Sequence, residues 1–161
     1  MGAVVLGARA ALRTGAGLVT CHIPSFGNLI MQCAVPEAMV IPDKSERNIT
    51  SIDDTGSFSA IGIGPGMGTG KETQNAFHEF IVNCKKPIVI DADALNILSE
   101  NKLWVMDIPH MAVLTPHPKE FSRLAGESGN SFDRLRKQAD FSAEYNCIVV
   151  LKGAFTSISE P

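Results

Sequence analysis

Short runs of apolar and β-branched residues recur at positions 18–23, 59–63, 87–90, 111–114 and 147–151, and each predicts a strand. Their hydrophobicity is nearly continuous rather than alternating, the pattern of a parallel sheet covered on both faces. Between them the period changes. Residues 71–84 carry Ala76, Phe77, Phe80 and Ile81 on one helical stripe, with Thr69 as the expected N-cap. Shorter helices are predicted over 92–99 and 119–125, and a longer one over 132–145.

Near the start, Val4, Val5, Leu6, Ala8, Ala11 and Leu12 suit a helix packed on a sheet and ended by Gly15 and Gly17. Residues 42–58 are polar and turn-rich, a surface connection preceded by a weak strand. Strand and helix taking turns implies right-handed crossovers and an open three-layer α/β/α sheet, whose ligands gather at the carboxyl ends of the strands. No repeat, low-complexity tract or domain linker interrupts the pattern, so residues 1–161 read as a single domain.

Composition narrows the functional classes. Hydrophobic residues make up 45% and charged residues 19%, which predicts a soluble, folded chain. The net charge is −3 and Lys and Arg never cluster, so nothing favours nucleic acid or an anionic membrane surface. Arg9 and Arg13 interrupt the apolar pattern of the first eighteen residues, which fit neither a membrane span nor a signal peptide. Cys21, Cys33, Cys84 and Cys147 lie far apart with no Cys-x-x-Cys pair, and read as reduced, mostly buried thiols of a cytoplasmic protein.

Four segments carry candidate chemistry, each just after a predicted strand. The first is Ile61-Gly62-Ile63-Gly64-Pro65-Gly66-Met67-Gly68-Thr69-Gly70, where glycines would let backbone N–H groups approach an anion at a helix N-terminus. No register matches Gly-x-Gly-x-x-Gly. A phosphate-binding Walker loop would need Gly at Pro65 and Ser or Thr at Glu72. A tight turn without a ligand is the plainer alternative. The second segment, Asp91-Ala92-Asp93-Ala94-Leu95-Asn96, offers two carboxylates that either cap the next helix or work on Mg²⁺ and phosphate.

The third is Thr115-Pro116-His117-Pro118-Lys119-Glu120, whose prolines keep His117 out of a helix interior. His117 either reaches the sheet edge or hydrogen-bonds at the surface, and Glu120 is either a first-turn acid or a group near Mg²⁺. The fourth places Lys152 and Gly153 at a strand end, where lysine supplies a point charge for phosphate or else escapes to solvent.

Together with the run from Ala8 to Thr20, these segments resemble the NAD(P)H-hydrate dehydratase family of ribokinase-like proteins, in the family's order and over essentially the whole chain. The resemblance implies repair of hydrated NADH or NADPH. ADP or ATP phosphorylates the ring hydroxyl, with bacterial members favouring ADP, and phosphate then leaves. It further implies that Gly66, His117, Ala3 and Asn96 contact the hydrated dinucleotide, and that Lys152, Gly153, Ala154, Phe155 and Thr156 line the nucleotide site. Asp93 and Glu120, with Asn96, would organise Mg²⁺ and phosphates, and the family commonly assembles as tetramers.

The family pattern also includes a strand before Met1 and a Gly-Ser-Gly-Asp or Gly-Thr-Gly-Asp helix start after Pro161, whose aspartate is the expected base. Residues 1–161 contain neither, so the expectation is that they do not turn over alone. Two rivals share the pattern. One is a ribokinase-like kinase for a vitamin precursor such as a hydroxymethylpyrimidine or hydroxyethylthiazole, the other a non-catalytic nucleotide-binding module.

Overall fold

A computed structural model describes residues 1–53 and 56–161; Asp54 and Thr55, inside the connection expected over 42–58, lie outside the described residues. The chain opens with helix α1 (Gly2–Arg13), which buries Ala8 and lays Val4, Val5 and Leu12 against a small cluster built on Cys21, Ile23 and Met31. Gly15, at φ +97°, ends it as expected. Its N–H donates to the Leu12 carbonyl and that of Ala16 to the Ala11 carbonyl, the paired bonds of a Schellman stop.

Strand β1 (Thr20–Ile23) leads through helix α2 (Asn28–Ala34) to strand β2 (Met39–Pro42), and the two strands pair in parallel as a sheet of their own. This corrects the single sheet expected from the apolar runs. The run at 18–23 announces a strand but not its partner, and Leu18 itself is exposed.

The second sheet has five strands in the order β3 (Ile61–Ile63), β4 (Ile88–Ile90), β5 (Val113–Leu114), β6 (Ile148–Leu151) and β7 (Ser157–Ser159). The first four are parallel, and β7 returns antiparallel to β6. Ile63, Ile90, Leu114 and Val149 form one continuous row across it and are all buried. Helices α3 (Lys71–Asn83), α4 (Asp93–Glu100), α5 (Pro118–Ala125) and α6 (Ser131–Tyr145) supply Phe77, Leu98, Phe121 and Phe141 to the same core.

Sequential neighbours joined by right-handed crossovers put their helices on one face. The opposite face is correspondingly open, with Val89 at 41% and Ile158 at 70% exposure, so among the described residues this sheet is not covered on both sides. The α/β class and the mostly parallel sheets agree with the reading from sequence.

Strand β7 is held by polar contacts. Gln138 of α6, 1% exposed, donates through Nε2 to the carbonyls of Val149 and Ser157 and accepts from the Ser157 hydroxyl, while the hydroxyls of Ser142 and Ser159 meet at 2.6 Å. All four cysteines are free thiols, of which Cys21 and Cys147 are buried, Cys84 is half-buried and Cys33 is exposed. Burial pushes the Cys147 thiol up to about 12. No helix among the described residues is long and apolar enough to cross a membrane.

One structural centre lies in the connection read only as polar surface. Asp43, directly after β2, is 5% exposed and accepts from the N–H groups of Ser45 and Thr50 at 2.8 Å each and from the Thr50 hydroxyl at 2.6 Å. Burial alone would raise its carboxyl. The Thr50 hydroxyl and the N–H groups of Ser45, Thr50 and Ser51 outweigh that and hold it at about 2. His22 on β1 stands 3.4 Å away.

Candidate active site

The four chemical segments follow β3, β4, β5 and β6, which are neighbours pointing the same way, so their loops emerge side by side along one edge. Backbone bonds stitch the loops in order. The Asp91 N–H donates to the Ile63 carbonyl, that of Thr115 to Ile90 and that of Lys152 to Pro116.

Between β3 and α3 the chain makes a tight turn in which the Met67 N–H donates to the Gly64 carbonyl at 3.1 Å. Pro65 and Gly66, the latter at φ +70°, occupy the centre as a type II turn requires. A Cβ on Gly66 would stand 3.3 Å from that of Ala3, so the first helix reaches this loop and brings two of the expected dinucleotide contacts together. Thr69 does not cap α3. Gly70 holds the N-cap position, and the Thr69 carbonyl accepts from the Gln74 side chain instead.

At the end of β4, Ala92 adopts φ 50° and ψ −119°, a conformation that costs a non-glycine residue on the order of 1–3 kcal/mol. This residue separates two carboxylates with different partners. Asp91 Oδ1 lies 2.8 Å from Lys152 Nζ, and Asp93 Oδ2 accepts the Gly68 N–H at 2.9 Å. Neither side chain caps α4, which removes the capping alternative for both. Asn96 faces α5, where its Oδ1 accepts from Arg123 at 2.5 Å, a partner the sequence reading missed.

His117 is itself the N-cap of α5. Its Nδ1 accepts from the N–H groups of Lys119 and Glu120, and Glu120 Oε2 accepts the His117 N–H at 2.8 Å in return. With Nδ1 accepting, a neutral ring carries its proton on Nε2, the atom nearer the Glu120 Oε1 at 3.4 Å. The ring is 48% exposed while the Glu120 side chain is almost wholly buried. Pro118 fills the first helical position, where its missing N–H costs nothing.

Lys152, Gly153, Ala154, Phe155 and Thr156 form the loop of a hairpin between β6 and β7. Lys152 does not escape to solvent, since Asp91 holds its ammonium. Phe155 at the tip is almost fully exposed.

The expected metal groups are placed differently. Asp93 sits against the glycine loop and Glu120 in the cap of α5, and no three His, Cys, Asp or Glu side chains among the described residues gather to hold a metal. Mg²⁺ bound by protein alone would need a fuller set of oxygens. Asp93 and Glu120 thus lie in separate hydrogen-bonded settings, and Mg²⁺ here would need oxygens from a bound phosphate as well. A hollow of about 260 Å³ lies elsewhere, between Ser51, Ile52 and α3 residues such as Ala76 and Phe80. It brings together none of the four segments, and the strand-end edge is the stronger site.

Comparison with known proteins decides the family, because a profile described as NAD(P)H-hydrate dehydratase matches residues 1–161, the whole chain. The chain belongs to the NAD(P)H-hydrate dehydratase family. It is 33% identical over 170 residues to a bifunctional NAD(P)H-hydrate repair enzyme of Moorella thermoacetica, covering 99% of this chain and 32% of that protein. The Escherichia coli enzyme of the same name is 36% identical over 161 residues, covering 98% and 30%.

Among solved structures, a ribokinase-like superfamily protein of Enterococcus faecalis superposes with TM-score 0.77 at 25% identity, covering 99% of this chain and 55% of that one. The ADP/ATP-dependent NAD(P)H-hydrate dehydratase of Bacillus subtilis, co-crystallised with ATP and Mg²⁺ and soaked with CoA, gives TM-score 0.72 at 25% identity, covering 99% and 57%. The ribokinase-like fold is thereby established. This family member spans about a third of the length of the curated relatives it matches and little more than half of those solved chains.

Proposed function

We propose that the edge formed by Gly66, Asp91, His117 and Lys152 binds ADP or ATP beside hydrated NADH or NADPH, as part of a nucleotide-dependent repair enzyme. The observation that carries the reading is the alignment of four strand-end loops with a fixed lysine at one of them. Lys152 and the hairpin residues Gly153, Ala154, Phe155 and Thr156 would take the nucleotide phosphates. Gly66, Ala3, His117 and Asn96 would take the hydrated dinucleotide. His117 Nδ1 is committed to the helix cap, and Nε2, 3.4 Å from Glu120 Oε1 on a half-exposed ring, is the nitrogen left to meet a ligand.

In the proposed reaction the ring hydroxyl attacks the terminal phosphoryl group of the donor. A new P–O bond forms as the donor's breaks, giving AMP from ADP or ADP from ATP, and the hydroxyl proton passes to a base. The nitrogen's lone pair then expels phosphate, and loss of a proton from the adjacent carbon restores the double bond. The work of the protein is positioning and charge stabilisation. Mg²⁺ would arrive on the nucleotide phosphates. The base would be the aspartate of a Gly-Ser-Gly-Asp or Gly-Thr-Gly-Asp helix start, a motif that residues 1–161 do not contain. Exposed Phe26, Leu29, Met39 and Ile41 support assembly into a homo-oligomer, a tetramer in this reading.

Titrating the 161-residue chain with ADP, ATP and NADH tests the binding claim. Saturable nucleotide binding that Lys152→Ala weakens by about tenfold or more supports it, and no binding of any of the three refutes it. For the chemistry, hydrated NADH with ADP and Mg²⁺ distinguishes repair, which releases phosphate and regains reduced-nicotinamide absorbance, from a kinase, which accumulates a stable phosphoester.

A further inference from the structure

We infer that Asp91 is the positioning residue of Lys152, holding the ammonium at the strand-end edge so that its remaining N–H groups face a phosphate. The inference rests on the proposed nucleotide reading of the hairpin, and adds a residue to it.

Asp91 is unusually fixed for a residue at a strand end. Its N–H donates to the Ile63 carbonyl, its own carbonyl accepts from Ala94, and that carbonyl lies where any side chain on Gly64 would have to go. The Lys152 backbone is anchored through its N–H, which donates to the Pro116 carbonyl. Its four-carbon stem would otherwise sample many rotamers. The 2.8 Å contact to Asp91 Oδ1 selects one of them, 61 residues away in sequence. An ammonium has three donors and this contact uses one.

Stability does not explain the arrangement. The pair is only half-buried, with side-chain exposure of 43% for Lys152 and 29% for Asp91, and a pair so open to solvent adds modestly to folding. Meanwhile the strained Ala92 that separates Asp91 from Asp93 works against folding. The geometry instead sends the two neighbouring carboxylates to different loops, Asp91 to the β6–β7 hairpin and Asp93 to the glycine loop.

The idea makes a prediction opposite to simple electrostatics. Removing a negative charge beside a phosphate site should tighten ADP binding if charge alone matters, and weaken it if Lys152 loses its position. The test is calorimetric titration of ADP into wild type, Asp91→Asn, Asp91→Glu, Lys152→Met and the double variant Asp91→Asn with Lys152→Met, alongside their melting temperatures. We expect Asp91→Asn to weaken ADP about tenfold with little change in melting temperature, and Asp91→Glu to recover part of the loss. Once Lys152 is methionine, Asp91→Asn should have no further effect on ADP. Equal or tighter binding by Asp91→Asn, or an additive loss in the double variant, overturns the inference. Failure of the wild type to bind ADP at all is a different result, which sinks the nucleotide reading together with the phosphate half of the inference. Acylation of Lys152 read by mass spectrometry then decides the pairing half, which stands if Asp91→Asn makes Lys152 more reactive and falls if it does not.

Discussion

The carbonyl oxygen of Asp91 occupies the space a side chain on Gly64 would need, with an added Cβ only 1.8 Å away and its backbone at φ +121°. Two strand ends therefore approach as closely as their backbones allow. Gly64→Ala should cost more than about 3 kcal/mol in a denaturant titration, because overlap and backbone strain act together. Gly62→Ala and Gly70→Ala, with open space at the added methyl and no positive φ, should cost far less.

His117 has two duties that one substitution can separate. His117→Ala should lose about 1 kcal/mol by uncapping α5, while His117→Asn, which can still cap, should recover most of that. Both variants lack the imidazole Nε2. If the ring touches the dinucleotide, both should bind NADH more weakly although only one is destabilised, a contrast visible by measuring melting temperature and affinity on the same samples.

Much of the fold was legible because each parallel strand announces itself as a short apolar run, and Ile63, Ile90, Leu114 and Val149 are the buried row those runs create. Strand β7 was not, since Ser157 and Ser159 meet Gln138 and Ser142 through hydroxyls, and no hydrophobic signal marks such a strand. The pairing of β1 with β2 was equally hidden, because an apolar run encodes a strand without its neighbour. At the site, the sequence placed the four loops on one edge, yet it could not show that Lys152 meets Asp91 or that Arg123 meets Asn96. His117 as a cap could have been found, since His followed three residues later by Glu has the spacing of a capping box.

Asp43 makes stability depend on acid. Its carboxyl is held at about 2 in the folded chain, below an unfolded value of about 4, so its contribution is complete above about pH 4 and is lost as the pH falls toward 2. Asp43→Asn should cost about 2–3 kcal/mol at pH 7 and flatten this part of the profile. Denaturant titrations of both proteins from pH 7 to pH 2 provide the comparison.

Gln138 fastens the outer strand and with it the hairpin that carries Lys152. Gln138→Leu leaves the Ser157 hydroxyl and the Val149 and Ser157 carbonyls without their buried partner, and should cost about 2–3 kcal/mol. Hydrogen exchange should locate the loss, with faster exchange across β6 and β7 than across β3 and β4.

The most direct test of a shared site is an amide chemical-shift titration of the 161-residue chain with ADP, run with and without NADH. Convergent loops predict saturable shifts at Gly66, Gly68, Asp93, His117 and the residues from Lys152 to Thr156, all with a single dissociation constant for ADP. Shifts confined to the hollow between Ser51 and α3, or none at all, would contradict the account.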